Sequence, residues 1–187
     1  MDNKIELGWL AGIIEGEGCF SINKAGNNRK HFVLSISITN TDFILLNKCN
    51  EILNENGITS TVRREKAIVN HKPRFDLMIG GIGNMINLIE KVLPFMFSQK
   101  KVQAELMLNF LKRRFLLMNN NCGKSWRKIP YGEIDYSYLR AMQSLKSISE
   151  SVETGRLSSH VDDVTVRTAR ICKGADQNRN DFGTRLN

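Results

Sequence analysis

A chain of 187 residues is long enough for one domain with a real core and too short to expect two full ones. Its 27 Lys and Arg against 19 Asp and Glu give a formal charge of +8 and a pI near 9.5, so its natural partners are polyanions or an acidic membrane surface. The excess lies in residues 1–149, with 21 basic against 13 acidic side chains, while residues 150–187 carry six of each. The basic surface is therefore expected on the folded part. Cys19, Cys49, Cys122 and Cys172 lack the paired spacing of zinc sites or redox motifs. With no secretory leader and no apolar stretch near the roughly 20 residues of a membrane span, a soluble protein of a reducing compartment is expected, either a prokaryotic cytoplasm or an organelle.

In chain order, Leu7 to Glu15 reads as a compact, small-residue-rich helix broken by Gly16 and Gly18. Two period-2 segments follow. Phe20, Ile22 and Lys24 alternate with Ser21 and Asn23, and Phe32, Leu34, Ile36 and Ile38 alternate with Ser35, Ser37 and Thr39, around a Gly26-Asn27-Asn28 turn. Asp42 is an N-cap candidate for a helix carrying Phe43, Leu46, Cys49 and Leu53, which stops near Asn56-Gly57. A second strand pair, Ile58 to Lys66 and Lys72 to Gly80, puts Val62, Phe75, Leu77 and Ile79 on one face and Arg63, Arg74 and Asp76 on the other. Ile82 to Phe97 and Gln99 to Met118 read as two helices divided near Pro94 and Ser98. Tyr136 to Ile148 reads as one more.

The order helix, two strands, helix, two strands, helix, helix specifies an α+β fold in which a four-stranded sheet has helices on one face and a free polar face. Three segments are expected: a core over 1–118, a loop and helix over 119–148, and a poorly ordered tail over 149–187.

The chemistry is concentrated in Leu10-Ala11-Gly12-Ile13-Ile14-Glu15-Gly16-Glu17-Gly18. Gly8, Ala11 and Gly12 sit at helical i, i+3 and i+4 spacing, a stripe with almost no side-chain bulk where a partner backbone can come close. Glu17 adds a carboxylate at a helix C-terminus, where the macrodipole and unpaired carbonyls already favour a cation. The bland alternative is an apolar helix with a glycine-rich stop and two solvated acids.

This nine-residue run resembles the LAGLIDADG motif position for position, with Glu in both acidic places, and the resemblance covers about residues 7–118. It implies a homing endonuclease of the single-motif, homodimeric type, with an αββαββα core and a four-stranded antiparallel DNA-binding sheet. By the same resemblance Glu17 is the metal ligand, with the Gly16 carbonyl as a second ligand, and Glu15 joins Gly8, Ala11 and Gly12 at the dimer interface. Carboxylate and water ligation points to Mg²⁺, with Mn²⁺ as a substitute. Glu in place of Asp lengthens the ligand arm by one methylene.

Two further positions resemble family signatures. Lys100, three residues before Gln103 at a helix start, would stand near the scissile phosphate, with Lys101 as the fallback and a solvated surface charge as the plain alternative. Asn40 resembles the polar residue that positions hydrolytic water, and reads equally well as a turn residue ahead of Asp42.

On the sheet, Ser21, Asn23, Ser35, Ser37, Arg63, Arg74 and Asp76 are candidates to read base edges in the major groove, or else a solvated strand face. Around them Lys24, Arg29, Lys30, Arg64, Lys66 and Lys72 would bind phosphates. The Lys112-Arg113-Arg114 cluster would touch the backbone or remain solvated. The expected partners are double-stranded DNA with a pseudo-palindromic site and a second copy of the chain, with no membrane. The rival is a non-cleaving protein of the same family, either a maturase acting on intron RNA or a DNA-binding regulator.

Overall fold

The computed structural model describes residues 3–25, 31–65, 72–121 and 125–153. Two compact units divide within a helix, between Phe115 and Leu116. The first begins with α1 (Asn3–Glu17), which runs directly into β1 (Gly18–Ala25). Then come β2 (His31–Asn40), α2 (Phe43–Glu55), β3 (Ser60–Arg64), β4 (Phe75–Ile79) and α3 (Ile82–Val92). A 3₁₀ turn over Leu93–Phe95 leads to α4 (Gln99–Asn120). The expected α+β fold with its αββαββα core is the observed one, and the sheet is antiparallel throughout in the order β1-β2-β4-β3.

The alternation in the strands converts directly into two faces. Phe20, Ile22, Phe32, Leu34, Ile36, Ile38, Leu77 and Ile79 are buried on one side, where α1 and α2 pack. Phe110 of α4 also reaches this side, stacking on Phe32 with ring centroids 6.0 Å apart. Burial of one face fixes the register, because a slip of one residue would turn every apolar side chain into water. Asp42 caps α2 as expected, its Oδ1 accepting from the Ile44 and Leu45 N–H groups at 2.8 and 3.3 Å.

Several boundaries differ from the sequence reading. The first helix is a turn longer at its N-terminus than the expected Leu7 start, and Glu6 there pairs with Lys48 of α2 at 3.6 Å. The second strand pair is shorter than expected, with Ile58 buried ahead of β3 and Arg74 just before β4. The span read as one helix to Phe97 breaks at Val92, where Pro94 cannot continue the hydrogen-bond ladder.

In the second unit, a 3₁₀ turn at Trp126–Lys128 precedes α5 (Glu133–Glu153), which is longer than the expected Tyr136–Ile148. The Asp135 carboxylate accepts from the Gly132 N–H at 2.8 Å and closes its first turn. Tyr138, Leu139, Met142 and Leu145 form its buried stripe. Among the described residues no helix is long and apolar enough to cross a membrane. Residues 26–30, which hold the expected turn with Arg29 and Lys30, together with Lys66, Cys122 and the residues beyond Glu153 with Cys172, lie outside the described residues.

Candidate active site and nucleic-acid face

The end of α1 is built by two side chains reaching in opposite directions between helices. Glu15 sends its Oε1 to the start of α4, where it accepts from the Phe97 N–H at 2.8 Å and the Ser98 N–H at 2.6 Å. Lys100, in the first turn of α4, sends its Nζ back to the end of α1 and donates to the Gly16 carbonyl at 3.1 Å and, more weakly, to that of Ile14 at 3.5 Å. Each helix terminus has unpaired backbone groups and a partial charge, and here each is met by the opposite charge from the other helix. Desolvation alone would raise the Glu15 carboxyl. The Ser98 backbone and hydroxyl, the Phe97 N–H and the Lys100 charge together outweigh it and hold the group below the ordinary Glu range.

Glu17, the last residue of α1, is exposed beside this pair. Gly18 follows as the first residue of β1, and here glycine is a steric necessity. A Cβ would stand 2.5 Å from the Ile14 carbonyl oxygen and 2.9 Å from its Cα, both backbone atoms that cannot move aside. The tight helix-to-strand step therefore holds Glu17 at the sheet's edge. Lys101 lies elsewhere, its Nζ 6.0 Å from the centre of the Phe97 ring, so Lys100 rather than the fallback lysine reaches the helix end. Asn40 ends β2 with its Oδ1 accepting from the Asp42 N–H at 2.9 Å, the geometry of the turn reading. Among the described residues no group of three or more His, Cys, Asp or Glu could hold a metal ion.

The polar face of the sheet is organised in rows by the register. Cys19, Ser37, Met78 and Thr61 form one row across all four strands, Thr39, Asp76 and Arg63 a second, and Ser21 with Ser35 a third. Asn23 stands opposite Val33. Ser21 is only 5% exposed and accepts from the Asn23 Nδ2 at 2.5 Å, so it supports its neighbour rather than presenting a free hydroxyl. Asp76 Oδ1 accepts from the Thr39 hydroxyl at 2.6 Å. Arg74 is held in a two-point ion pair by Glu65, with Nε–Oε2 and Nη2–Oε1 both 2.9 Å. Arg63, by contrast, is exposed and makes no ion pair among the described residues. Lys24, Arg64 and Lys72 are exposed around these rows. The basic cluster on α4 is dispersed: Lys112 pairs with Glu90 at 2.6 Å, and Arg114 is fully buried.

The sequence profile of the LAGLIDADG-like domain matches residues 4–92, the span from α1 through α3. No curated protein matches the chain. Among solved structures, the homing endonuclease I-CvuI in complex with its target is similar at 19% identity and a TM-score of 0.50, over 77% of this chain and 96% of that one. The archaeal intron-encoded homing endonuclease I-Vdi141I, complexed with DNA, is similar at 17% identity and a TM-score of 0.49, over 92% and 98%. At such identities the likeness to I-CvuI speaks for the fold.

Within the matched span, α1 sorts the small residues differently from the sequence reading. Ala11 is fully buried in its own chain, and a Cβ on Gly8 would already touch Phe95 at 3.7 Å. Gly12 and Gly16 have nothing within 4 Å of a built Cβ. They share a helical stripe with Ile5 and Trp9, which are 68% and 40% exposed. The open face of α1 is thus Ile5, Trp9, Gly12 and Gly16, at i, i+4, i+7 and i+11. Glu15 likewise turns back onto its own chain.

Cys19, Val33, Thr39, Thr61, Glu65 and Met78 on the sheet were missed as candidates. Alternation alone flags all six, and only the pairing of Glu65 with Arg74 needs the register.

Proposed function

We propose that this chain is one protomer of a homodimeric homing endonuclease that hydrolyses double-stranded DNA at a long pseudo-palindromic site with the help of a divalent cation. The observation that carries the reading is the end of α1, where Glu17 is exposed and the Lys100 ammonium donates to the carbonyl of the neighbouring Gly16.

The Glu17 carboxylate and the Gly16 carbonyl are hard oxygen donors of the kind Mg²⁺ takes, and Mn²⁺ accepts the same set. One chain supplies few ligands, and the remaining ones would come from water, the phosphate and a second copy. A divalent cation held by Glu17 and the Gly16 carbonyl would supply Lewis-acid activation of the phosphodiester and of water. Lys100 Nζ stands where it can stabilise charge developing on a phosphate oxygen. Arg63, Thr61, Ser37 and Asn23 on the open rows offer donors and acceptors to base edges, and Lys24, Arg64 and Lys72 bind phosphates. The exposed stripe of α1 supplies the surface on which two copies meet, each bringing one Glu17 to its own strand.

A single substitution tests the reading. Glu17→Gln keeps size and removes the charge, so it should bind the duplex that the wild type selects from a randomised library and fail to cut it with Mg²⁺. Cutting at the wild-type rate would dismiss the metal assignment. The non-cleaving reading, a maturase or a DNA-binding regulator, draws on one observation: the Gly16 carbonyl already carries the Lys100 ammonium. A wild-type protein that binds a duplex tightly and never cuts it, with Mg²⁺ or Mn²⁺, would establish that alternative.

A further inference from the structure

The two residues that lead into α4 are exposed ahead of Lys100. Met96 is buried, but the next side chain, Phe97, is 84% exposed, and Ser98 is exposed as well. Oε1 of Glu15 fastens this stretch to α1 by receiving both the Phe97 and Ser98 N–H groups. Ser98 then sets the first turn of α4, its Oγ accepting from the Lys100 N–H at 3.2 Å and its carbonyl from the Lys101 N–H at 2.9 Å. From that turn Lys100 Nζ spans back to the Gly16 carbonyl, one residue from Glu15 along α1.

We infer that Glu15 is a positioning residue for Lys100: by fixing the Phe97–Ser98 backbone, it sets the ammonium beside Glu17 at the end of the motif helix. The two contacts form a reciprocal clasp between segments more than 80 residues apart, and opening one half leaves the other without its register. Because both N–H groups share a single acceptor oxygen, an amide oxygen at the end of the same arm keeps both hydrogen bonds, each weaker without the charge. This separates Glu15 from Glu17, whose proposed role depends on charge. The inference rests on the endonuclease reading only for its consequence in cleavage.

The clasp is testable without cleavage. Full-length wild type, Glu15→Gln, Glu15→Ala and Glu15→Asp would be acetylated with acetic anhydride, and the rate at Lys100 read by peptide mass spectrometry against the exposed Lys72. An amine held against two carbonyls is sterically less free to attack the anhydride and acylates slowly. Glu15→Ala should raise the Lys100 rate several-fold while Glu15→Gln stays close to wild type. If Glu15→Ala does not fold, Glu15→Asp, one methylene short, should show the same rise.

In single-turnover cleavage of the duplex selected by the wild type, Glu15→Ala should lower the rate constant with Kd unchanged. Glu15→Gln should retain most of the rate. Equal Lys100 acetylation in wild type and Glu15→Ala would overturn the clasp whatever the cleavage result. Loss of cutting in Glu15→Gln as complete as in Glu17→Gln would overturn the positioning role in favour of a charge role. A wild type that cuts no duplex would sink the endonuclease reading, and the acetylation result would then decide the clasp alone.

Discussion

The two arginines of the second strand pair have the same residue type and face and opposite circumstances. Arg63 is open, whereas the Arg74 fork is filled by Glu65 through the same donor geometry that a guanine edge would need. Both partners are well exposed, so the pair itself is worth no more than about 1 kcal/mol and DNA can displace it. Displacement leaves the Glu65 carboxylate facing an electronegative groove, a cost charged to every sequence alike. Glu65→Gln should therefore tighten binding to duplexes of any sequence, measured by fluorescence anisotropy. Arg63→Ala should relax preference at one base position in each half-site by roughly 1–3 kcal/mol if its contact is bidentate. Equal weakening on every sequence would make Arg63 a phosphate contact, and unchanged affinity in Glu65→Gln would show that Arg74 keeps its partner on DNA.

At the level of elements, the step from α1 to β1 is the tightest point of the domain. Gly18→Ala drives a methyl into the Ile14 backbone, and relief requires moving either a buried helix turn or the first residue of an edge strand. The expected loss is about 1–3 kcal/mol, read as a lower urea midpoint with unchanged m. Gly16→Ala meets no atom within the chain and should leave that midpoint at or above wild type. The motif, the strand alternation and the Asp42 cap were legible because each is written in neighbouring residues: one buried face demands period 2, and a cap demands a short side chain with an oxygen. The first turn of α1 was not legible, since Ile5 is exposed and Glu6 finds Lys48 in another helix. The same holds for Glu15. Its partners lie more than 80 residues away, so spacing gave no sign that it faces its own chain instead of a second copy. The pairing of Glu65 with Arg74 was missed for the related reason that strand register is a property of the pair.

At the scale of the whole molecule, the charge of +8 and the open face of α1 together define how the chain should assemble. Several phosphate contacts per half-site should make the affinity for duplex DNA fall steeply with salt, and a flat dependence would detach the basic surface from binding. The assembly itself turns on Gly12. Within one chain nothing requires glycine there, because a Cβ would meet no atom and leucine would favour the helix by up to about 1 kcal/mol. A residue that weakens its own helix without serving its own fold points to an outside surface. Ile5 and Trp9 on the same stripe leave apolar area in water that a second α1 would cover. Gly12→Leu should therefore yield a folded monomer, with wild-type helicity by circular dichroism and half the mass by light scattering. Gly8→Leu, which presses on Phe95 of the same chain, should instead lower the thermal midpoint at every protein concentration. A Gly12→Leu protein that still sediments as a dimer would remove α1 as the interface, and with it the proposed pairing of the two Glu17 carboxylates.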